Sequence, residues 1–167
     1  MSIKGKVWKY GDDVNTDVIF PGKYTYTITD PNEMAQHALE DLDSKFAQEV
    51  KKDDVIIAGE NFGCGSSREQ AATCLKYAGV GAVIAKSFSR IFFRNAINQA
   101  LPVIECREAV DNIISGEEAS INFEKGEISC NKGVFTFSPL PGEILGIFND
   151  GGLIPHVKKI LKIKEGE

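Results

Sequence analysis

Three short apolar runs, separated by stretches with helical spacing, constrain the fold of this chain more than any other feature. The runs are VIIAG at 55–59, GAVIA at 81–85 and LPVIE at 101–105. Continuous apolar runs of this length are typical of parallel strands that are buried on both faces. Apolar residues recur at helical spacing in the two stretches between the runs, 66–79 and 89–100. This alternation predicts an α/β fold with a mainly parallel central sheet and flanking helices.

The chain on both sides of this unit predicts further strands. Residues 3–9 alternate apolar and charged side chains, which is the pattern of a half-buried strand. After residue 106 the pattern changes to short strands separated by glycine turns, and this predicts an antiparallel β ribbon. The ribbon strands are ASINF at 119–123, EISC at 127–130 and VFTF at 134–137. Two closing helices follow, with a break at 150–152. Because no linker, repeat or low-complexity segment interrupts the chain, we predict a single domain over residues 1–167.

The region between the first predicted strand and the first apolar run is rich in turn residues. Residues 10–24 have the Asp, Asn, Gly and Pro density of a long loop. A helix is predicted from Asp30 toward residue 42, because Asp30 can cap it, Pro31 suits the first turn and Glu33 stands at the capping-box position. A second helical stretch is predicted at 44–50.

Charge and hydropathy exclude two classes of partner. The net charge of -5 leaves no broad basic face for nucleic acid, although an anionic small molecule could bind at a local positive site. The first 13 residues have no apolar leader core, and no stretch approaches the 18 apolar residues of a membrane span. We therefore predict a cytoplasmic protein.

The cysteines do not form a recognisable metal or redox motif. The chain has four of them, at Cys64, Cys74, Cys106 and Cys130, and no C-x-x-C pair. Neither a zinc site nor a thioredoxin-type motif is indicated, and the thiols are predicted to be buried or incidental. We predict no metal site on this chain, so any metal cluster in its chemistry would have to lie on another chain.

The loop after the first apolar run, GENFGCGSSREQAA at 59–72, concentrates polar groups where a strand gives way to a helix. One interpretation is structural: Ser66, with Glu69 three residues later, is a capping box. Known nucleotide motifs fit poorly. Arg68 stands where the third glycine of G-x-G-x-x-G belongs, and no G-K-[ST] follows.

The second interpretation of this loop is a carboxylate site. Gly63 and Gly65 allow the backbone to approach a ligand closely, and free N–H groups at a helix start favour an anion. Arg68 adds a planar fork that suits a carboxylate. Open α/β sheets bind ligands at the carboxyl ends of their strands, which is where this loop is predicted to lie. Ser66 could act as a base only as an alkoxide, which needs positive charge and desolvation nearby.

Five other polar residues allow a structural or a functional interpretation. Asp17 can organise the turn-rich segment or take part in a site. Arg90 and Arg94 are four residues apart and share a helix face, so they could meet an acidic ligand or partner, or form a solvated face. His37 and His156 lie in helical stretches without a spaced acidic or cysteine partner, and we interpret both as surface residues.

Four segments together resemble one family. They are GDDVNTDVIFPGKY at 11–24, VIIAGENFGCGSSREQAA at 55–72, VIAKSFSRIFFRNAINQALPVIE at 83–105 and NDGGL at 149–153. They resemble the small subunit of 3-isopropylmalate dehydratase, the detached swivelling β/β/α domain of the aconitase superfamily. The resemblance covers nearly the whole chain, and the Gly-Ser-Ser-Arg-Glu segment is its most specific part.

The resemblance implies a two-subunit enzyme. A large subunit would hold a [4Fe-4S] cluster whose open iron takes the substrate's hydroxyl, and this chain would bind no cofactor itself. Ser66 matches the serine that acts as base, and Arg68 matches the arginine that binds a substrate carboxylate. Alone, the chain would be inactive; the sequence leaves open whether it then forms a homo-oligomer.

The remaining site residues follow from the same resemblance. Gly65 and Ser67 are assigned to substrate binding beside the serine base, and Asp17 and Glu69 to the polar network that supports the site. Substrate choice is assigned to the loop after the first Pro-Gly turn. That loop consists here of Tyr24, Thr25, Tyr26 and Thr27.

The composition of this specificity loop favours an apolar substrate side chain, because it has no arginine to meet a distal carboxylate. The expected reaction is the interconversion of 2-isopropylmalate and 3-isopropylmalate through isopropylmaleate, a leucine-pathway step on a small dicarboxylate hydroxy acid. The alternatives are the small subunit of a homoaconitase, a methylcitrate dehydratase or a 2,3-dimethylmalate dehydratase. A different class, a non-catalytic carboxylate-binding module, also stays open.

Overall fold

The structure, a computed structural model, describes residues 1–165 of the chain, with side chains described to residue 162. Its seven strands within these residues are β1 (Ser2–Lys9), β2 (Val55–Ala58), β3 (Ala82–Ala85), β4 (Val103–Glu105), β5 (Glu118–Asn122), β6 (Glu127–Cys130) and β7 (Gly133–Thr136). The helices are α1 (Thr16–Ile19), α2 (Pro31–Ala35), α3 (Phe46–Glu49), α4 (Glu69–Ala78), α5 (Arg90–Asn98), α6 (Arg107–Asn112), α7 (Gly142–Asn149) and α8 (Leu153–Glu165). No helix in this described part is both long and apolar enough to cross a bilayer.

All seven strands form one mixed sheet in the order β4-β3-β2-β1-β5-β6-β7. The strands β1 to β4 run parallel, with Val7 opposite Val55 across β1 and β2. On its other side β1 pairs antiparallel with β5, with Ile3 opposite Ile121, and β6 and β7 continue the antiparallel pairing. The predicted α/β class and the antiparallel ribbon are confirmed. The structure adds that the ribbon joins the parallel strands through β1.

Helices and loops cover both faces of the parallel strands, which explains why their sequences are continuously apolar. Ile56 of β2 points to one face, where it belongs to a core that includes Leu75 of α4 and Phe92 of α5. Ile57 belongs to the opposite core, which includes Val110 of α6. The ribbon contributes to this second core with alternate residues, among them Ile121.

The turn-rich segment before β2 is more helical than predicted. Residues 10–24 were predicted to be a loop, but they contain α1, because the Asn15 side chain accepts a hydrogen bond of 3.0 Å from Val18 N and caps the helix. A 3-10 turn follows at Gly22–Tyr24. The helix α2 has Pro31 in its first turn as predicted. It ends at Ala35, however, and the Asp30 side chain makes no capping hydrogen bond.

The prediction that both histidines are surface residues is wrong. Each ring is half-buried and contacts a carboxylate: His37 Nδ1 lies 2.6 Å from Glu40, and His156 Nδ1 lies 2.7 Å from Asp150. Glu40 stands three residues after His37, and Asp150 lies across the turn between α7 and α8 from His156. Each carboxylate therefore satisfies a ring nitrogen that would otherwise lose hydrogen bonds on burial.

Candidate active site

The glycine-rich loop joins β2 to α4 at the carboxyl end of the parallel strands, as predicted. Backbone hydrogen bonds attach it to the segment that leads from β1 into α1. Gly63 N donates to Val14 O at 2.8 Å, and Thr16 N donates to Cys64 O at 2.8 Å. Because α1 is held against the loop in this way, polar side chains from both segments share one edge of the sheet.

Gly63 is required by both space and backbone conformation. Its φ is +79°, and a Cβ at this position would lie 2.2 Å from the ring of Phe92. Ser89, the residue that caps α5, donates from Oγ to Gly63 O at 2.9 Å. The loop is therefore packed directly on the first turn of α5. Gly65 also has a positive φ, +97°, and a side chain there would be strained.

Ser66 is not a helix cap, so the capping-box interpretation is wrong. The helix α4 begins at Glu69, and its N-cap position is Arg68, whose side chain makes no capping hydrogen bond. Ser66 is held by its carbonyl instead, which accepts from Thr16 Oγ1 at 2.9 Å and from Arg68 N at 2.9 Å. These tertiary contacts keep Ser66 in the loop and leave its side chain exposed.

The hydroxyl groups of Ser66 and Ser67 are both free. The two residues are exposed together with Gly65, and neither hydroxyl makes a hydrogen bond to any group in the described part of the chain. The contacts of Ser66 described above are all made by its backbone carbonyl. The arrangement presents two hydroxyls and a glycine backbone to whatever covers this edge of the sheet.

Arg68 and Asp17 come together beside this exposed surface, as the assignment to one site requires. Arg68 Nη1 lies 2.6 Å from Asp17 Oδ1, and the guanidinium side chain is 26% exposed. Nη1 itself is buried and has no aligned hydrogen-bond acceptor among residues 1–165, so the contact is an ion pair outside good hydrogen-bond geometry. Gly22 lies directly against the Arg68 guanidinium, since a Cβ at residue 22 would lie 2.9 Å from Nη1.

Glu69 is placed differently from the other predicted site residues. Its carboxylate contacts the side-chain amide of Gln99, just after α5, and not the Arg68–Asp17 pair. Glu69 also stands in the first turn of α4, where a negative charge is favourable. The structure thus gives Glu69 contacts that hold α4 against the end of α5.

The predicted specificity loop leads away from Gly22, next to Arg68. Tyr24 packs on the ring of His37 with 4.1 Å between ring centroids, which fixes the first residue of the loop. Tyr26 is 95% exposed, and Thr27 is exposed beside it. Thr25 Oγ1 is buried without a hydrogen-bond partner in the described residues. The loop therefore has one anchored residue and one fully available aromatic side chain.

Sequence reasoning missed the residues that anchor Tyr24. The Glu40 carboxylate meets His37 at 2.6 Å and Lys23 Nζ at 3.2 Å. Burial raises the pKa of Glu40, but hydrogen bonds from His37, Tyr24 and Lys23 outweigh it and hold that pKa below its ordinary value. The spacing of His37 and Glu40, three residues apart in a helical stretch, was the available signal.

A second missed group fixes the start of the glycine-rich loop. The Glu60 carboxylate accepts from Ser87 Oγ at 2.8 Å and from both terminal nitrogens of Arg107 at 2.6 and 3.2 Å. Ser87 Oγ in turn accepts from Asn61 N at 2.7 Å. The hydrogen bonds from Ser87 and Arg107 hold the pKa of Glu60 below its ordinary range. No short motif in the sequence links these residues, because they follow three different strands.

The cysteines do not converge on a metal site. Cys74 lies in the core on one face of the sheet and Cys106 in the core on the other. No group of His, Cys, Asp and Glu within residues 1–165 has the geometry to hold a metal ion. Burial and the nearby Asp13 raise the pKa of the Cys64 thiol, which lies inside the glycine-rich loop. The donor side chains in the described residues therefore do not come together as the ligands of an iron–sulfur cluster would.

Comparison with known proteins places this chain in a family. The profile of the aconitase C-terminal domain matches residues 12–109, more than half of the chain. The 3-isopropylmalate dehydratase small subunit of Caldicellulosiruptor bescii is 52% identical over 164 residues, which is 97% of this chain and 98% of that protein. The chain belongs to the family of 3-isopropylmalate dehydratase small subunits. The small subunit 1 of Archaeoglobus fulgidus is 51% identical over 158 residues, covering 93% of this chain and 97% of the other.

Solved structures agree with this small-subunit family. The crystal structure of 3-isopropylmalate dehydratase from Methanocaldococcus jannaschii superposes with a TM-score of 0.92 and is 47% identical, with 99% of each chain covered. Aconitase X from Thermococcus kodakaraensis has a TM-score of 0.52 at 12% identity, covering 78% of this chain and 90% of the other, so it shares the fold alone. The predicted family and fold class are thus confirmed.

Proposed function

We propose that this chain is the small subunit of a two-subunit hydro-lyase that interconverts 2-isopropylmalate and 3-isopropylmalate through isopropylmaleate, in leucine biosynthesis. One observation carries the proposal. In a chain that matches dehydratase small subunits over nearly its full length, the Ser66 hydroxyl is exposed and free, and Arg68 lies two residues away. A serine that only capped α4 would have its side chain turned to the helix.

In this proposal Ser66 is the base. As an alkoxide it removes the proton from the carbon next to a substrate carboxylate, and as a hydroxyl it returns that proton in the reverse direction. A serine alkoxide needs positive charge and exclusion of water. Arg68 and the N-terminus of α4 supply the positive charge. The exclusion of water must come from whatever covers the exposed loop.

Arg68 binds the substrate carboxylate, and Asp17 is a positioning residue. The buried Nη1 of Arg68 lacks an aligned acceptor among the described residues, and a carboxylate oxygen would supply one. The ion pair with Asp17 holds the guanidinium in place for that bond. Gly65 and Ser67 complete the contact surface with a glycine backbone and a second free hydroxyl. Glu69 supports the site by fastening α4 to the end of α5.

The proposed partner is a large subunit that carries a [4Fe-4S] cluster. The relatives are named small subunits, and the residues proposed for catalysis lie on an open surface of this chain, so the site is half of a larger one. The cluster would act as the Lewis acid for the departing hydroxyl. Among the described residues of this chain, no group of His, Cys, Asp and Glu could hold a metal ion. We also propose that the whole chain acts as one domain.

The proposed substrate has an apolar branch and not a third carboxylate. The loop Tyr24 to Thr27 has no cationic side chain, and the neighbouring Lys23 is engaged by Glu40 at 3.2 Å. A distal carboxylate would therefore find no free cation in this segment. This favours isopropylmalate over the homoaconitate and methylcitrate alternatives. The lack of a free cation does not distinguish isopropylmalate from 2,3-dimethylmalate, because both substrates have two carboxylates.

The test is hydratase activity of the chain assembled with its large subunit and a reconstituted cluster. Isopropylmaleate and homoaconitate are offered side by side, with Ser66→Ala as the test variant and Ser67→Ala as the matched control. We expect preference for isopropylmaleate and a loss of kcat of about 10³-fold or more in Ser66→Ala, because general base catalysis contributes on this scale. Ser67→Ala should lose far less.

Other outcomes separate the alternatives. Undiminished kcat in Ser66→Ala would remove the serine from the mechanism. A preference for homoaconitate would overturn the interpretation of the Tyr24 to Thr27 loop and leave the base in place. Binding of a dicarboxylate by the isolated chain, with no turnover after assembly, would favour the non-catalytic carboxylate-binding module.

A further inference from the structure

A cavity of about 420 Å³ lies on the outer face of α5. Its apolar wall consists of Phe88, Phe93 and Ile97, and Arg90 and Arg94 stand at its rim. We call it the α5 cavity. The proposed chemistry of Ser66 and Arg68 does not use any of these side chains.

The two arginines of the α5 cavity have no charged or hydrogen-bonding partner among the side chains that the structure describes. Arg90 and Arg94 are exposed and one helical turn apart, and neither makes an ion pair or side-chain hydrogen bond with any side chain described, residues 1–162. Glu105 lines the cavity too, but it makes no ion pair with them. By contrast, Lys86 and Arg107, which lie at the same edge of the sheet, are both paired with carboxylates. The cavity lining, with two arginines and one glutamate, therefore combines net positive charge with apolar surface.

The position of Arg90 is unfavourable for its own helix. It is the first residue of α5, where the helix dipole favours negative charge and disfavours a cation. Its side chain also makes no ion pair or hydrogen bond with the described side chains that would offset this cost. The stability of the isolated chain thus does not explain an arginine at this position. An acidic group that docks from another protein would explain it.

The α5 cavity adjoins the candidate active site. Phe88 follows β3 and Glu105 ends β4, so the cavity lies at the carboxyl edge of the parallel strands. Ser89 donates to Gly63 O at 2.9 Å, and Phe62 meets Phe88 edge to face with 6.1 Å between ring centroids. A partner that covers the exposed Ser66 approaches the same edge and the same end of α5.

We infer that the α5 cavity docks an acidic segment of the large subunit, with a carboxylate on the two arginines and an apolar side chain against Phe88, Phe93 and Ile97. This inference rests on the proposed function, which supplies the partner. Exposed cations alone hold a free small anion weakly, because water and salt screen them. A protein segment also buries the apolar wall and removes water from the charges, which strengthens both contributions.

A second copy of this chain fits the α5 cavity less well than the large subunit. A two-fold pairing through this face would bring the arginines of the two copies toward each other. The chain as a whole carries a net charge of -5, so the positive rim is a local exception that selects for an acidic surface. Interface arginines of this kind are frequent binding hot spots.

The test uses Arg90→Glu and Arg94→Glu, with Lys125→Glu as a matched charge reversal in the turn between β5 and β6. Each variant is titrated by calorimetry with the large subunit carrying its cluster, and kcat is measured at saturating large subunit with isopropylmaleate. We expect the dissociation constant of the subunits to rise at least 10-fold for either arginine variant and to stay unchanged for Lys125→Glu. The saturated kcat should stay at the wild-type value.

The arginine variants are expected to fold, because both side chains are exposed and, at Arg90, a glutamate in the first turn of α5 suits the helix dipole. Circular dichroism and thermal melting check this, and Arg94→Gln offers a milder variant if needed. Unchanged association of both variants, in a complex whose wild type is active, would overturn the inference and leave the proposed function intact. Weaker association of the variants, in a wild-type complex without turnover, would overturn the function and support the docking surface. Failure of the wild type to associate would overturn both.

A small-ligand site is the remaining outcome. Inorganic phosphate and 4-methylpentanoate are titrated into the isolated chain and followed by NMR. Saturable binding that shifts the resonances of α5 and is abolished in Arg94→Glu, together with unchanged subunit association, would overturn the docking inference in favour of an anion site.

Discussion

The two halves of the sheet meet at β1, but they differ in how deeply their strands are buried and in whether they contain proposed site residues. In the parallel half, every residue of β2 and β3 is buried. In the ribbon, β7 is almost wholly accessible, and Val134 is 58% exposed. The aconitase C-terminal domain profile covers residues 12–109 and stops before the ribbon begins. All the proposed site residues lie inside that range.

The difference shows how strand direction decides where a site can form. Parallel strands end at one edge, so the loops after β1, β2 and β3 meet there and bring Asp17, Ser66 and Ser89 into one region. Antiparallel strands turn back at alternate ends, which disperses their turns. The ribbon contributes instead to the core on the second face, where Ile121 and Phe123 are fully buried.

The largest expected contrast is between alanine at Gly63 and alanine at Gly133. Both glycines have positive φ, but a Cβ at Gly63 would overlap Phe92 at 2.2 Å, whereas a Cβ at Gly133 would meet nothing within 4 Å. We expect Gly63→Ala to lower the free energy of unfolding by about 4 kcal/mol, from backbone strain and overpacking, and Gly133→Ala by about 1 kcal/mol, from strain alone. Urea denaturation measures both.

The kcat of the assembled enzyme should also differ between the two glycine variants. Gly63→Ala should also displace Ser66 and reduce the kcat of the assembled enzyme by about 10²-fold or more, since misplacement by about 1 Å has effects of this size. Gly133→Ala should keep wild-type kcat. Equal destabilisation of the two variants would mean that Phe92 moves aside without cost, and the loop would then not be fixed by α5.

The next contrast compares valine to alanine in the two halves. Val55 of β2 is completely buried, and Val134 of β7 is mostly exposed. Truncation of Val55 should cost about 2–3 kcal/mol of unfolding free energy, from lost burial and a residual cavity. Truncation of Val134 should change it by less than about 0.5 kcal/mol, as for other surface positions. Chemical denaturation of both variants checks this; a large effect at Val134 would show that the ribbon edge is covered in solution.

The smallest contrast concerns two ion pairs and their response to pH. Glu40 pairs with His37 and Lys23 near the candidate site, whereas Glu118 of β5 pairs with Lys4 at 2.8 Å, with each side chain 63% exposed. Because the folded state lowers the pKa of Glu40, its ionised form stabilises the protein above its ordinary pKa of 4.5, and this stabilisation is lost as the pH falls through the lowered value.

We therefore expect Glu40→Gln to destabilise the protein at pH 7, by less than about 1 kcal/mol, since the pair is partly exposed. The deficit should shrink as the pH is lowered below 4.5, the ordinary pKa of a glutamate. Glu118→Gln should have almost no effect at either pH. Urea titrations at pH 7 and pH 3.5 measure the two differences; a deficit for Glu40→Gln that grows on acidification would contradict the argument.

Much of the parallel half could be predicted from the sequence, because its information is local. Local patterns predict both the type of each element and its burial: apolar runs for β2, β3 and β4, and helical spacing for α4 and α5. The pairing of β1 with β5 could not be predicted, because it joins Ile3 to Ile121 across most of the chain. No local pattern specifies which strand edge will accept a distant ribbon.

In the candidate site, motif reasoning located the loop but left two interpretations of Ser66, of which the structure excludes the capping box. Ser66 and Glu69 have the spacing of a capping box, yet contacts from Thr16 and Arg68 hold the serine outside the helix. Propensity rules describe a helix end in isolation, and tertiary hydrogen bonds override them here. The anchoring of Tyr24 by His37 was missed for the same reason, since it depends on how the chain folds back on itself.

The central position of β1 has a consequence for synthesis of the protein. The strand is made before both of its neighbours, because β2 and β5 are complete only once residues 58 and 122 have been added. Until then β1 has open backbone groups on one or both sides, and such edges pair readily with other chains. Distant pairings also slow folding. The half-made chain is therefore the form most prone to aggregate, and the ribbon that takes no part in the proposed chemistry is the segment that covers the free edge of β1.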